Sequence, residues 1–146
     1  MDTARQSHDP VVRMLDAYRD AVFAKDVDAF VRLYDADVHV FDMWGDWSLQ
    51  GVAAWRRMAE GWFGSLGDER VVVTFDDVGS SVEHDLACGH ATVTYSAQGT
   101  DGAILRSLSN RMTVVLRRRN GEWKVVHEHT SAPIEHETLK ARLQRA

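Results

Sequence analysis

Tyr18 and Asp42 are the residues of this chain whose types and spacing bear most directly on chemistry. A carboxylate can take a proton from carbon, and a phenol can donate a hydrogen bond to the oxyanion that results. Periodicity puts Tyr18 on the first predicted helix and Asp42 at the end of the first predicted strand. The chemical reading turns on whether both face one cavity. Each has a plainer role open to it. Asp42 would also serve as a loop-edge carboxylate that caps backbone amides or pairs with an arginine, and Tyr18 as a core tyrosine with a satisfied hydroxyl.

His127 and His129 form the second group. They are read either as cavity residues, one acting as acid or hydrogen-bond donor, or as structural histidines holding sheet to helices. His-x-His on a strand also suits a metal, with Asp42 the nearest third ligand; no fourth is evident, so no metal site is assigned. Trp44, Trp47, Trp55 and Trp62 are candidates to line an aromatic pocket, with Trp55 and Trp62 equally suited to the core and Trp44 and Trp47 to a rim. Met58, Tyr95, Asn110 and Met112 complete the expected ligand-contacting set. Cys88 stands beside Gly89 with no motif for a nucleophile, and neither a Gly-rich phosphate loop nor a nucleophile elbow occurs.

These side chains need elements to carry them. Asp9-Pro10 is a helix start, and Val11, Met14, Leu15, Tyr18 and Val22 then recur at helical spacing. Asp26 caps a shorter second helix with Val27, Phe30, Val31 and Tyr34 on its apolar face, and a first strand runs from about Val38 to Asp42. Met43 to Ser48 reads as a loop. A third helix after Gly51 aligns Val52, Trp55, Met58, Ala59 and Trp62, and ends by Gly64 and Gly67. Strands follow over Val71–Glu83, Leu86–Ala97, Leu105–Arg119 and Glu122–Ser131. Helices first and antiparallel strands after is the α+β pattern. Beyond Pro133, Leu139 and Leu143 suggest a short docking helix, giving one domain over 1–146 with a core at about 10–133 and a helical tail at 134–146.

Asn120-Gly121 signals a two-residue type I′ hairpin turn. Counted outward without interruption, it pairs Arg119 with Glu122, Leu116 with Val125, Val114 with His127 and Met112 with His129. In that register Trp123, Val125, His127 and His129 face the helices, whereas Arg111, Thr113, Arg117, Lys124 and Glu128 face away. His90, out of phase with Ala91, Val93 and Tyr95, also faces away. A slip of one residue inverts the assignment.

Three helices followed by a curved antiparallel sheet, with these residues, resemble the nuclear transport factor 2-like superfamily, whose cone-shaped fold encloses a pocket between helices and sheet. The ending from Asn120 to Ser131 looks like the SnoaL-like branch, and also resembles the association domain of calcium/calmodulin-dependent kinase II. The front half, Tyr18 through Gly51, is similar in spacing to ketosteroid isomerase. That resemblance implies Asp42 as base and Tyr18 as oxyanion donor. The second donor there is a protonated aspartate on a later strand. This chain has no acid between Asp101 and Glu122, leaving Asn110 or a neutral histidine for that role.

The resemblance implies a cofactor-independent isomerase, cyclase or dehydratase acting next to a carbonyl of a flat, apolar polyketide-, terpenoid- or steroid-like ketone. The alternative it allows is a non-catalytic ligand-binding or oligomer-assembly domain. With 146 residues, 45% hydrophobic and 27% charged, the chain suffices for one sizeable core. A net charge of −5 argues against nucleic acid or an anionic membrane as partner. Met1–Gln6 lacks the apolar core of a signal peptide, and a single cysteine suits a reducing compartment. The expected partners are a small-molecule ligand and a second copy in a cytoplasmic homodimer, joined through the polar outer face of the long strands.

Overall fold

The computed structural model describes residues 8–145, so the N-terminal stretch read above for a leader lies outside them. Helix α1 spans Pro10–Ala24. Asp9 caps it, its carboxylate accepting from the amides of Val11 at 2.8 Å and Val12 at 3.3 Å and from the Ser80 hydroxyl at 2.5 Å. The helix stops at Lys25, which adopts a left-handed conformation (φ 54°) and sends its ammonium to the Gly67 and Glu69 carbonyls. Asp26 caps the short α2, Val27–Val31. That helix ends before Tyr34, which instead begins strand β1, Tyr34–Phe41.

A loop carries the chain to the two-residue β2, Leu49–Gln50, and then to α3, Val52–Ser65. Strands β3 (Arg70–Val82), β4 (Leu86–Gln98), β5 (Ile104–Arg119) and β6 (Glu122–Ser131) complete a six-stranded sheet in the order β2-β1-β6-β5-β4-β3. Every neighbouring pair is antiparallel except β1 with β6. The fold is α+β: among the described residues, three N-terminal helices lie against one face of a mostly antiparallel sheet. The core between them is built on Val11, Leu15, Val22, Phe30, Val38, Trp55, Val73, Val93 and Leu116, all nearly solvent-free.

The Asn120-Gly121 turn has positive φ at both residues, 53° and 79°, as type I′ requires. Arg119 opposes Glu122 and Leu116 opposes Val125, as counted from the turn. The register then shifts. Val115 opposes His127, Val114 opposes Glu128 and Met112 opposes Thr130, so Val126 is an extra residue on β6. A bulge of this kind bends the strand and adds twist. It lets β6 pair with β5 on one side and with β1 on the other, where His39 opposes His127 and Phe41 opposes His129. Past Val126 every side chain of β6 changes face. Glu128 and Thr130 point inward, and His127 and His129 outward, the reverse of the uninterrupted count.

The C-terminal segment is not a helix. Ile134 bridges Ala141, Arg142 donates its amide to the Pro133 carbonyl, and Leu139 is exposed with φ 60°. β6 ends opposite Arg111, which leaves the first half of β5 without a strand on that side. The tail fills it: the Ser109 amide donates to the Leu143 carbonyl at 2.7 Å, and the Gln144 side chain to the Ser107 carbonyl at 2.7 Å. Open-edge backbone groups outcompete a helix with two apolar anchors.

Candidate active site

A cavity of about 460 Å³ opens between α3 and the first half of β5. Its inner end is lined by Tyr18 from α1, Trp55 from α3, Tyr95 from β4, Asn110 from β5, Glu128 and Thr130 from β6, and Asp42 just past β1. Trp44, Met58, Trp62, Leu66 and Arg106 stand nearer the mouth. Tyr18, Asp42, Trp44, Trp55, Met58, Trp62, Tyr95 and Asn110, all singled out from the sequence, therefore share one cavity.

Four expected members do not. Trp47 is 97% exposed at the tip of the 42–48 loop. Met112 points inward but is sealed in the core among its neighbours, 2% exposed and away from the cavity wall. The bulge at Val126 turns His127 and His129 to the opposite face. There the His127 Nδ1–H donates to the His39 carbonyl at 2.7 Å, and His39, Phe41, His127 and His129 contact one another edge to face. Among the described residues no three His, Cys, Asp or Glu side chains converge as metal ligands.

The residue missed from the sequence is Glu128, 1% exposed and at the heart of the site. The Tyr34 hydroxyl donates to its Oε1 at 2.6 Å. Burial, with the charge of Asp42 adding to it, pushes its pKa up to about 8, so at neutral pH it holds a proton. The one trace of this in the sequence is the doublet Val125-Val126, where apolar character stops alternating and a bulge can sit.

Asp42 is half-buried, and burial raises its pKa despite opposing hydrogen bonds from the Thr130 hydroxyl and the backbone at Trp44 and Met43. Thr130 Oγ1 donates to Asp42 Oδ1 at 3.1 Å and accepts the Met43 amide at 3.0 Å, fixing the carboxylate at the strand end. Tyr18 and Tyr95 hydrogen-bond hydroxyl to hydroxyl at 3.0 Å. Burial drives both phenols well above their ordinary range, so both stay protonated. A pair of hydroxyls satisfies itself with one of its two protons, which leaves the other O–H for a neighbour. The inner end thus combines one carboxylate of raised basicity with neutral O–H groups on Tyr18, Tyr95 and Glu128. Such an array can accept a proton and stabilise the charge that its removal creates.

Residues 11–135 match the SnoaL-like domain family. An NTF2-like protein of unknown function from Pseudomonas putida KT2440 has the same fold at 27% identity, over 100% of this chain and 99% of that one, with a TM-score of 0.83. An NTF2-like protein with a cystatin-like fold from Novosphingobium aromaticivorans is 17% identical over 87% and 82% of the two chains, with a TM-score of 0.72. Aln2 from a Streptomyces species is 15% identical over 84% and 87%, also with a TM-score of 0.72. No curated protein matches by sequence.

Proposed function

The chain belongs to the SnoaL-like family, and within it we propose a small-molecule enzyme that abstracts a proton next to a carbonyl of a flat, largely apolar substrate, without a cofactor. The observation that carries this reading is the shared cavity: the Asp42 carboxylate lines the same chamber as the hydroxyls of Tyr18 and Tyr95 and the acid of Glu128. Asp42 is the base. The Thr130 hydroxyl holds its Oδ1, which fixes the orientation of the carboxylate that takes the proton. The carbonyl oxygen lies toward the tyrosine pair and Glu128, whose O–H groups are set in advance and stabilise the enolate as it forms. Glu128 fills the second-donor role that no acid between Asp101 and Glu122 could fill. Return of the proton to another carbon gives an isomerase. Loss of a β-hydroxyl gives a dehydratase, and attack of the enolate on a second carbonyl gives a cyclase.

Deuterium uptake from heavy water into a panel of enones, β-ketoesters and polycyclic ketones tests the reading. The protein should catalyse uptake into at least one of them, and Asp42→Asn should lower that rate by about 10²-fold or more, the usual weight of a general base, with the fold intact by circular dichroism. No uptake across the panel, or uptake that survives Asp42→Asn, overturns it in favour of a ligand-binding or assembly domain.

The same reading includes a homodimer formed through the outer face of the sheet. Its support is the group of His39, Phe41, His127 and His129, whose rings cluster on the face away from the helices with Phe41 36% exposed.

A further inference from the structure

Two residues of β5 that line the cavity carry polar groups whose partners are missing or exchangeable. Asn110 is 6% exposed; its amide nitrogen donates to Met43 Sδ at 3.3 Å, and its Oδ1 is buried with no hydrogen-bond partner. A buried carbonyl oxygen left without a donor is destabilising, and a ligand O–H would relieve it. At the other end, Arg106 is the one cationic side chain lining the cavity among the described residues. Its guanidinium pairs with Glu69 at 2.6 and 3.4 Å, in an ion pair open to solvent. Exposed pairs of this kind are weak and screened by solvent, so Arg106 can exchange Glu69 for another carboxylate offered to its planar fork.

We propose that the ligand carries a carboxylate taken by Arg106 at the mouth and a hydroxyl or enol O–H donated to Asn110 Oδ1 at the inner end. Both side chains lie on the inward face of β5, four residues apart, which sets their backbone positions about 13 Å apart along the strand. Leu108 lies between them, with Tyr95, Met58 and Trp62 forming the rest of an apolar slot. The span suits two or three linked or fused rings. Orientation follows from charge: Asp42 repels a carboxylate from the inner end, and Arg106 attracts it to the mouth. This rests on the proposed function only in taking the cavity as the substrate site. Its test reads binding without turnover, so either idea can fail while the other stands.

The probe is a biphenyl with a para-carboxylate on one ring and a para-hydroxyl on the other, titrated by tryptophan fluorescence against its methyl ester and its des-hydroxy acid. The wild-type protein should bind the hydroxy acid about tenfold tighter than the ester and several-fold tighter than the des-hydroxy acid. Arg106→Gln should erase the first preference and Asn110→Leu the second, whereas Glu69→Gln, which frees Arg106, should tighten the acid only. Equal binding of acid and ester, preferences unchanged by Arg106→Gln, or no binding of any probe overturns the proposal. The wild-type series decides the hydroxyl contact should Asn110→Leu not fold.

Discussion

Glu128 is the residue on which the electrostatics of the inner cavity depend. Its pKa rises from an ordinary 4.5 to about 8 because the side chain is removed from water, and the Tyr34 hydroxyl only partly offsets that. Between these two values the folded protein holds a proton that the unfolded chain releases. Stability from the neutral acid is therefore complete below about pH 4.5, is lost as pH climbs toward 8, and levels off above it. The loss should amount to a few kcal/mol, read as a falling urea midpoint between pH 5 and 8. Glu128→Gln keeps an acceptor for Tyr34 and cannot ionise, so its midpoint should stay nearly flat over that window and exceed that of the wild type at pH 8.5. Asp42, also raised by burial, gives a loss of the same sign at more acidic pH, so the variant keeps a small slope there. Parallel profiles for the two proteins would mean that Glu128 is ionised in the fold. Turnover follows the same logic: the rate should rise as Asp42 ionises and fall again near pH 8, where Glu128 loses its donor proton, and Glu128→Gln should remove the falling limb.

At the scale of elements, the caps of the first two helices, the type I′ turn and the limits of the four long strands are local signals, legible from Asp9, Asp26, Asn120-Gly121 and the spacing of apolar residues. Tyr18, Asp42 and most of the aromatic wall were legible as well, since helical and strand spacing aim them without reference to distant chain. Two features were not. The bulge at Val126 arises because β6 must satisfy β1 and β5 together, a constraint between strands far apart in the chain, as the His127 to His39 hydrogen bond illustrates (separation 88). The tail pairs with β5 only because β6 stops early, which its own composition cannot reveal. Close approach of α1 to the sheet is a further non-local fact. Gly89 on β4 lies under the helix, where a Cβ would strike the Val11 side chain and come within 3.0 Å of the Gly79 carbonyl. Val11 is fully buried and cannot yield freely. Gly89→Ala should cost about 1–3 kcal/mol by overpacking, whereas Cys88→Ala, one residue away on the exposed face, should be near neutral. Thermal unfolding distinguishes them: equal melting temperatures would mean that helix and sheet are less tightly apposed at this crossing.

For the whole molecule, the sheet divides two kinds of surface. Its inner face is used up by the helices and the cavity, so the proposed association with a second copy falls to the outer face. That face is mixed rather than greasy: Arg111, Thr113 and Arg117 from β5 flank the histidine and Phe41 group contributed by β1 and β6. Aromatic and arginine side chains are enriched at interfaces between folded subunits. A two-fold pairing of one such patch with itself would bury the Phe41 ring, whose edge-to-face contacts with His127 and His129 already fix its orientation. Light scattering on the purified protein should therefore give twice the 16.5 kDa chain mass. Phe41→Asp sets a charge at the centre of the patch and should yield a monomer with an unchanged circular dichroism spectrum. Because the cavity opens on the other side of the sheet, that monomer should still bind the hydroxybiphenyl acid with little loss. A monomeric wild type would remove the outer face as an interface, and a ring larger than two would move the function toward assembly. Loss of ligand binding in the Phe41→Asp monomer would mean that the partner helps to shape the site, coupling the two faces through β6, the strand that carries His127 outward and Glu128 inward.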